Sequence, residues 1–175
     1  MRPQLVISTS DSDDLTRLEA GLCLYGSDMD EATTPVEAAL AWLIPKTRRA
    51  RGGFPGAEVI AAQLRGGVAR RRVGLLSRGP PARGHAPILD PATGETVGEV
   101  TSGQCHTVSH CVTSHASRAG CPSPTLGGGT NVAMGYVRTA LAKPGTPLQL
   151  GVRSKRVDTA VTKMPFVPSN YYHLK

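Results

Sequence analysis

From Gly67 onward the chain is a run of short apolar alternations punctuated by proline and glycine, with no long helical pattern between them. Val68 to Leu76 reads as a first strand, stopped by Gly79-Pro80-Pro81, because proline cannot donate to a sheet ladder. Ile88-Leu89 and Thr96 to Thr101 flank Asp90-Pro91-Ala92-Thr93-Gly94, whose proline and glycine spell a hairpin turn. Val132, Met134 and Tyr136 alternate with smaller partners, Leu148, Leu150 and Val152 do the same, and Val157 to Lys163 returns as a partner strand after Ser154-Lys155-Arg156. Short strands joined by tight turns predict a small antiparallel barrel or sandwich over residues 68–175, with Val132, Met134, Leu148, Leu150, Val157 and Val161 facing inward.

The densest local signals lie upstream, in Arg17 to Glu37. Gly21 and Gly26 bracket Leu22-Cys23-Leu24-Tyr25, which reads as a buried strand entering a turn. Thr34, Pro35 and Glu37 then form a capping box with proline at the first helical position. Val36, Ala39, Leu40 and Leu43 recur at helical spacing up to Pro45, and Trp42 is expected in a core. A second helix is expected from Pro55 to Arg65, with Val59, Ile60 and Leu64 on one face, and the charge run from Lys46 to Arg51 reads as a solvated connection between the two. Asp28, Asp30 and Glu31 crowd the turn before the first helix. They could hold a metal or act as acid and base, but carboxylates here also bind turn amides and favour a helix start, and that plainer reading is preferred.

Charge is unevenly spread along the 175 residues, which carry a formal +7. Residues 11–37 hold eight acids against Arg17, whereas residues 46–83 hold ten Lys/Arg against Glu58. The two blocks are suited to attract one another or to meet an acidic partner. No aromatics interleave with the arginines, which argues against base-stacking nucleic-acid binding. Four cysteines without a secretory hydrophobic run suit a reduced compartment, and no stretch approaches the roughly 20 apolar residues of a membrane span. The leader 1–14 holds three aspartates, which are rare in mitochondrial presequences, so no import signal is evident.

Motifs that would carry chemistry are scarce. There is no phosphate-binding glycine loop, nucleophile elbow or HExxH helix. Cys23 reads as a buried, inert thiol and His85 as a turn residue. Gln104 to Gly120 gathers Cys105, His106, His110, Cys111 and His115, with Cys121 just beyond. Thiolates and imidazoles are zinc ligands, but no Cys-x2–4-Cys knuckle pairs with a spaced His pair and the run lacks an apolar framework. A translated piece of non-coding sequence is the preferred reading, zinc the competing one, and no metal site is assigned.

RLEAGLCLYGSDMDEATTPVE at 17–37 resembles a segment of the glycine cleavage T-protein family, the mitochondrial aminomethyltransferases. Further blocks follow in that family's order: FPGAEVIAAQL at 54–64, RRRVGL at 70–75, VTSG at 100–103, CPSPTL at 121–126, NVAMGYV at 131–137 and KMPFVPSNYYHLK at 163–175. The resemblance runs from about Leu15 onward and corresponds to the last part of a longer chain. It makes residues 104–120 an insert, since VTSG runs almost directly into CPSP in the family.

The resemblance implies an α+β chain: a leader (1–14), a remnant of the folate-binding domain with two helices and one strand (15–67), and a C-terminal antiparallel β-barrel (68–175). The implied activity is one-carbon transfer from the aminomethyl-lipoyl arm of the H-protein to tetrahydrofolate, with release of ammonia, in mitochondria. The lipoylated H-protein and tetrahydrofolate would be the partners, with neither nucleic acid nor a membrane involved. No catalytic residue is carried over, because the family's essential aspartate has no counterpart in the matched motifs. Tyr171 aligns with a family tyrosine that reaches the folate, and Arg72 is a second, weaker candidate there. The family's A-R-D before the leucine is replaced by Ser12-Asp13-Asp14, which removes an arginine implied in folate contact. The expectation is a chain inactive by itself. The alternative is a non-catalytic folate-binding or scaffolding barrel module, as in dimethylglycine and sarcosine dehydrogenases.

Overall fold

The computed structural model describes residues 16–103, Leu126 and residues 130–168; the sequence expectations for the leader, the 104–120 insert and Tyr171 fall outside them. Six strands form a closed antiparallel barrel: β1 (Arg70–Arg78), β2 (Pro87–Leu89), β3 (Thr96–Gly103), β4 (Thr130–Arg138), β5 (Pro147–Val152) and β6 (Lys155–Thr162). Around the barrel the order is β1-β4-β3-β2-β5-β6, and β6 pairs back onto β1 from Gly74↔Thr162 to Ser77↔Thr159. The expected strands are present, and closure into a barrel leaves few open sheet edges.

Alternation divides each strand between two environments. The barrel interior is filled by Val73, Leu75, Val100, Val137, Leu150 and Val161 among others. Leu148 and Val157 join this core as expected. Val132 and Met134 are buried too, but on the opposite face: they pack outside the barrel against Leu18, with Leu76, Met164 and Phe166 alongside. Ala133 and Val137 are their strand-mates that point inward. Both faces of β4 are therefore covered, which strand periodicity alone cannot reveal, since either set could be the interior one.

The cover on the outer face comes from both ends of the described chain. A helical turn at 16–19 places Leu18 on β4. The segment after β6 doubles back, with the Phe166 N–H donating to Glu19 O at 2.9 Å. Gly74 makes this possible: a Cβ there would sit 2.7 Å from the Phe166 ring and 2.8 Å from Met164 Cγ.

Residues 20–66 depart from expectation in detail. Leu22 to Tyr25 form no strand beyond an isolated bridge between Tyr25 and Met29. Gly21 and Gly26 do take positive φ, 70° and 88°. The capping box is in place, with Thr34 N–H donating to Glu37 Oε2 and Glu37 N–H to Thr34 Oγ1, both at 3.2 Å. The helix it starts ends after one turn. Ala39 takes φ 57°, and the carbonyls of Glu37 and Ala38, which would accept from the next turn, are bound to Arg72 instead. The result is a turn and a short 3-10 segment, Ala41–Leu43, rather than a helix to Pro45. Trp42 consequently loses its helical phasing and lies 72% exposed, not in a core.

The basic run folds as a short helix, α1 (Lys46–Arg51), in which no residue is buried. The expected second helix is α2 (Ala57–Gly66). Of its apolar face only Ile60 is buried, while Val59 and Leu64 are exposed.

Candidate functional site at the barrel flank

The outer faces of β1, β3 and β4 meet residues 17–40 in a polar junction, with a groove beside it. Asp28 sits at the centre of the junction, 1% exposed. Its carboxylate accepts from Arg17 Nη1 at 3.1 Å, from the Leu24 N–H at 2.9 Å and from Thr101 Oγ1 at 2.5 Å. Arg17 also donates to Ser102 Oγ at 3.3 Å. The Asp28 carbonyl accepts from Tyr136 Oη–H at 2.8 Å. Both halves of Asp28 thus bind the barrel, and a carboxylate so fully engaged is an anchor rather than a proton donor.

The other two acids of the turn stay outside. Asp30 accepts from Thr33 Oγ1 and the Ala32 N–H, and the Thr33 hydroxyl chiefly holds its carboxyl below the usual range. Asp28 and Asp30 thus bind turn amides as the plainer reading expects, whereas Glu31 is exposed and no α-helix directly follows the turn; among the described residues no group of three His, Cys, Asp or Glu side chains could hold a metal ion.

Arg72 enters the junction from β1, only 5% exposed. Its Nε donates to Ala38 O at 2.9 Å, and its Nη1 donates to Gly21 O at 3.1 Å and lies 3.0 Å from Met134 Sδ. Its own N–H donates to Glu37 O at 2.8 Å. One residue thus ties three points of the 21–38 segment to the barrel. Next to it, the Arg70 guanidinium lies 5.0 Å from the Tyr136 ring centroid and pairs with Glu37 at 3.4 Å. Burial pushes the Tyr136 phenol up to about 12, aided by Cys23 and opposed by Arg72 and Arg70. Cys23 is half-buried, and desolvation raises its thiol against the pull of Arg72, so it stays protonated and unreactive at neutral pH.

The groove has a volume of about 770 Å³. Leu22, Leu40, Trp42 and Met164 supply apolar wall, and Arg71, Arg72 and Lys163 supply cationic groups. Of the two site residues expected from sequence, Arg72 lines this groove and Tyr171 lies outside the described residues. Arg17, Thr101, Ser102 and Tyr136 escaped the sequence reading. Arg17 had one signal, as the single base among the eight acids of residues 11–37.

The fold defined here is a small closed antiparallel barrel with a preceding segment latched across its outer face. The description "glycine cleavage T-protein C-terminal barrel domain" matches residues 116–168. The mitochondrial aminomethyltransferases of dog and human are 51% and 50% identical over 173 residues, covering 99% of this chain and 38% of theirs. That of the plant Flaveria trinervia is 52% identical over 159 residues, covering 91% of this chain and 34% of its own. The crystal structure of the glycine cleavage system aminomethyltransferase T from Bartonella henselae superposes with a TM-score of 0.74 at 36% identity, covering 91% of this chain and 39% of that one. Over nearly its whole length the chain matches the C-terminal portion of glycine cleavage T-proteins, spanning less than two-fifths of the length of these relatives.

Proposed function

We propose that these 175 residues supply the barrel portion of a tetrahydrofolate-dependent aminomethyltransferase, one that takes the aminomethyl group from the lipoyl arm of an H-protein and releases ammonia, in mitochondria. The observation that carries this reading is the 51% identity to a mitochondrial aminomethyltransferase across nearly the whole chain. The division into a leader (1–14), a remnant of the folate-binding domain (15–67) and a barrel (68–175) belongs to the same proposal.

What supports the folate part is the groove beside Arg72. Its apolar wall suits a flat heterocycle, and its cationic groups suit carboxylates. The hydrogen bonds of Arg72 go to the chain itself, so we assign it to the edge of the folate surface, where it holds the 21–38 segment in place. Tyr171 is proposed to contribute a ring to the same surface. One stacked ring and one charge-assisted contact are worth about 1–3 kcal/mol, which leaves affinity near millimolar at best.

A carboxylate acting as the proton-transfer group, which the family resemblance implies, has to lie within hydrogen-bond reach of the reacting nitrogen. Asp28 cannot serve, since its oxygens are committed to Arg17, Leu24 and Thr101. We therefore expect these 175 residues alone to release no ammonia above background from an aminomethyl-loaded H-protein supplied with tetrahydrofolate. Ammonia release abolished by Tyr171→Ala would overturn that expectation and place a working site within this chain.

A further inference from the structure

The seam between β1 and β6 opens at one end. Pairing stops at Ser77↔Thr159, yet β6 begins four residues earlier, at Lys155. Over 155–158 that strand is held on one side by β5, from Gln149↔Asp158 to Val152↔Lys155, and among the described residues no strand pairs with its other side. β1 turns away after Arg78 into Gly79-Pro80-Pro81. The two diverging strands leave a cleft of about 760 Å³, whose lining includes Arg78, Lys155, Arg156, Val157 and Pro80.

Its charge is predominantly positive, three cations against one acid. Arg78 and Lys155 are exposed, and among the described residues neither pairs with a carboxylate. Arg156 lies across the hairpin near Gly94, within 3.4 Å of where a Cβ would stand, and adds to the field. Asp158, the one acid in the lining, is engaged by Gln149 Nε2 at 2.9 Å.

From this we propose that the open edge of β6 at residues 155–158 is a docking site for an acidic, extended peptide segment that pairs with it as an added strand. A strand edge satisfies its N–H and C=O groups best with another peptide backbone, and the flanking cations select for carboxylate side chains. Nucleic acid fits the same charge less well, because among the described residues the lining holds no aromatic side chain on which a base could stack. The site is separate from the Arg72 groove and does not rest on the folate reading.

The test uses the 175-residue chain and a fluorescein-labelled, end-blocked peptide of alternating glutamate and valine, six residues long, read by anisotropy at low salt. Saturable binding is expected. Lys155→Glu combined with Arg78→Glu should weaken it at least tenfold, with the circular dichroism melt unchanged because both side chains are exposed. An N-methylated version of the peptide, stripped of backbone donors on one edge, should also bind at least tenfold more weakly. Equal binding of the N-methylated peptide, indifference to the double charge reversal, or full competition by oligo-dT would each overturn the proposal.

Discussion

Replacing Arg72 by alanine tests whether the barrel flank is held by one buried guanidinium. The change strips donors from two carbonyls, Ala38 O and Gly21 O, and removes the contact with Met134 Sδ. Hydrogen bonds from a charged donor contribute about 1.5–3 kcal/mol each. Two of them give about 3–6 kcal/mol, reduced where water reaches the orphaned carbonyls. That is comparable with the whole stability of a marginal domain, about 5–15 kcal/mol. The barrel interior does not contain Arg72, so the loss should fall on the 17–40 segment first. Hydrogen exchange read by mass spectrometry should show faster exchange across residues 18–40, while β3 to β6 keep their protection. Arg72→Lys should recover only part of the effect, since an ammonium cannot reproduce the fork that reaches both carbonyls. If Arg72→Ala left exchange over 18–40 unchanged and its urea midpoint within error of the parent, the clamp would be refuted.

Two further perturbations probe the same junction. Asp28→Asn removes the charge facing Arg17, and breaking a buried pair from one side should cost about 3–5 kcal/mol, measured by urea unfolding; adding Arg17→Met should lower stability further, because it also removes the bonds to Leu22 O and Ser102 Oγ. Tyr136 is expected to ionise near pH 12 in a spectrophotometric titration at 295 nm, above the ordinary 10, because burial disfavours the phenolate. The sign follows from linkage: with the folded value raised, this contribution is complete below pH 10 and is lost as pH rises towards 12, so Tyr136→Phe should flatten the alkaline limb of the stability profile.

Much of the barrel was legible because period-two alternation and Pro/Gly turns are local signals, and β1 to β6 fell where they pointed. What escaped was which face of β4 looks inward. Val132 and Ala133 are both buried, and only the position of Leu18 and Phe166, remote in sequence, decides that Val132 belongs to the outer layer. The helix expected from Thr34 to Leu43 failed for a similar reason. Its capping box formed as local chemistry requires, but its carbonyls were taken by Arg72 from β1. Tertiary competition for backbone groups does not register in a periodicity. The site was less legible still: Arg72 stood out in the RRRVGL block, whereas Thr101, Ser102 and Tyr136 become partners of Asp28 and Arg17 only once β3 and β4 lie under the segment.

The distribution of burial carries the argument one step further. The barrel is apolar within and is sealed on one flank by Leu18, Met164 and Phe166. Residues 22–64, by contrast, expose Leu22, Leu24, Tyr25, Trp42, Leu43, Val59 and Leu64. The polar junction explains how such a segment keeps its place without an apolar core of its own: Asp28 and Arg72 supply directional bonds where area burial is lacking. A segment secured in that way on one side presents large apolar side chains on the other, and the Arg72 and Asp28 clamps are the elements that fix the orientation of those exposed side chains relative to the barrel.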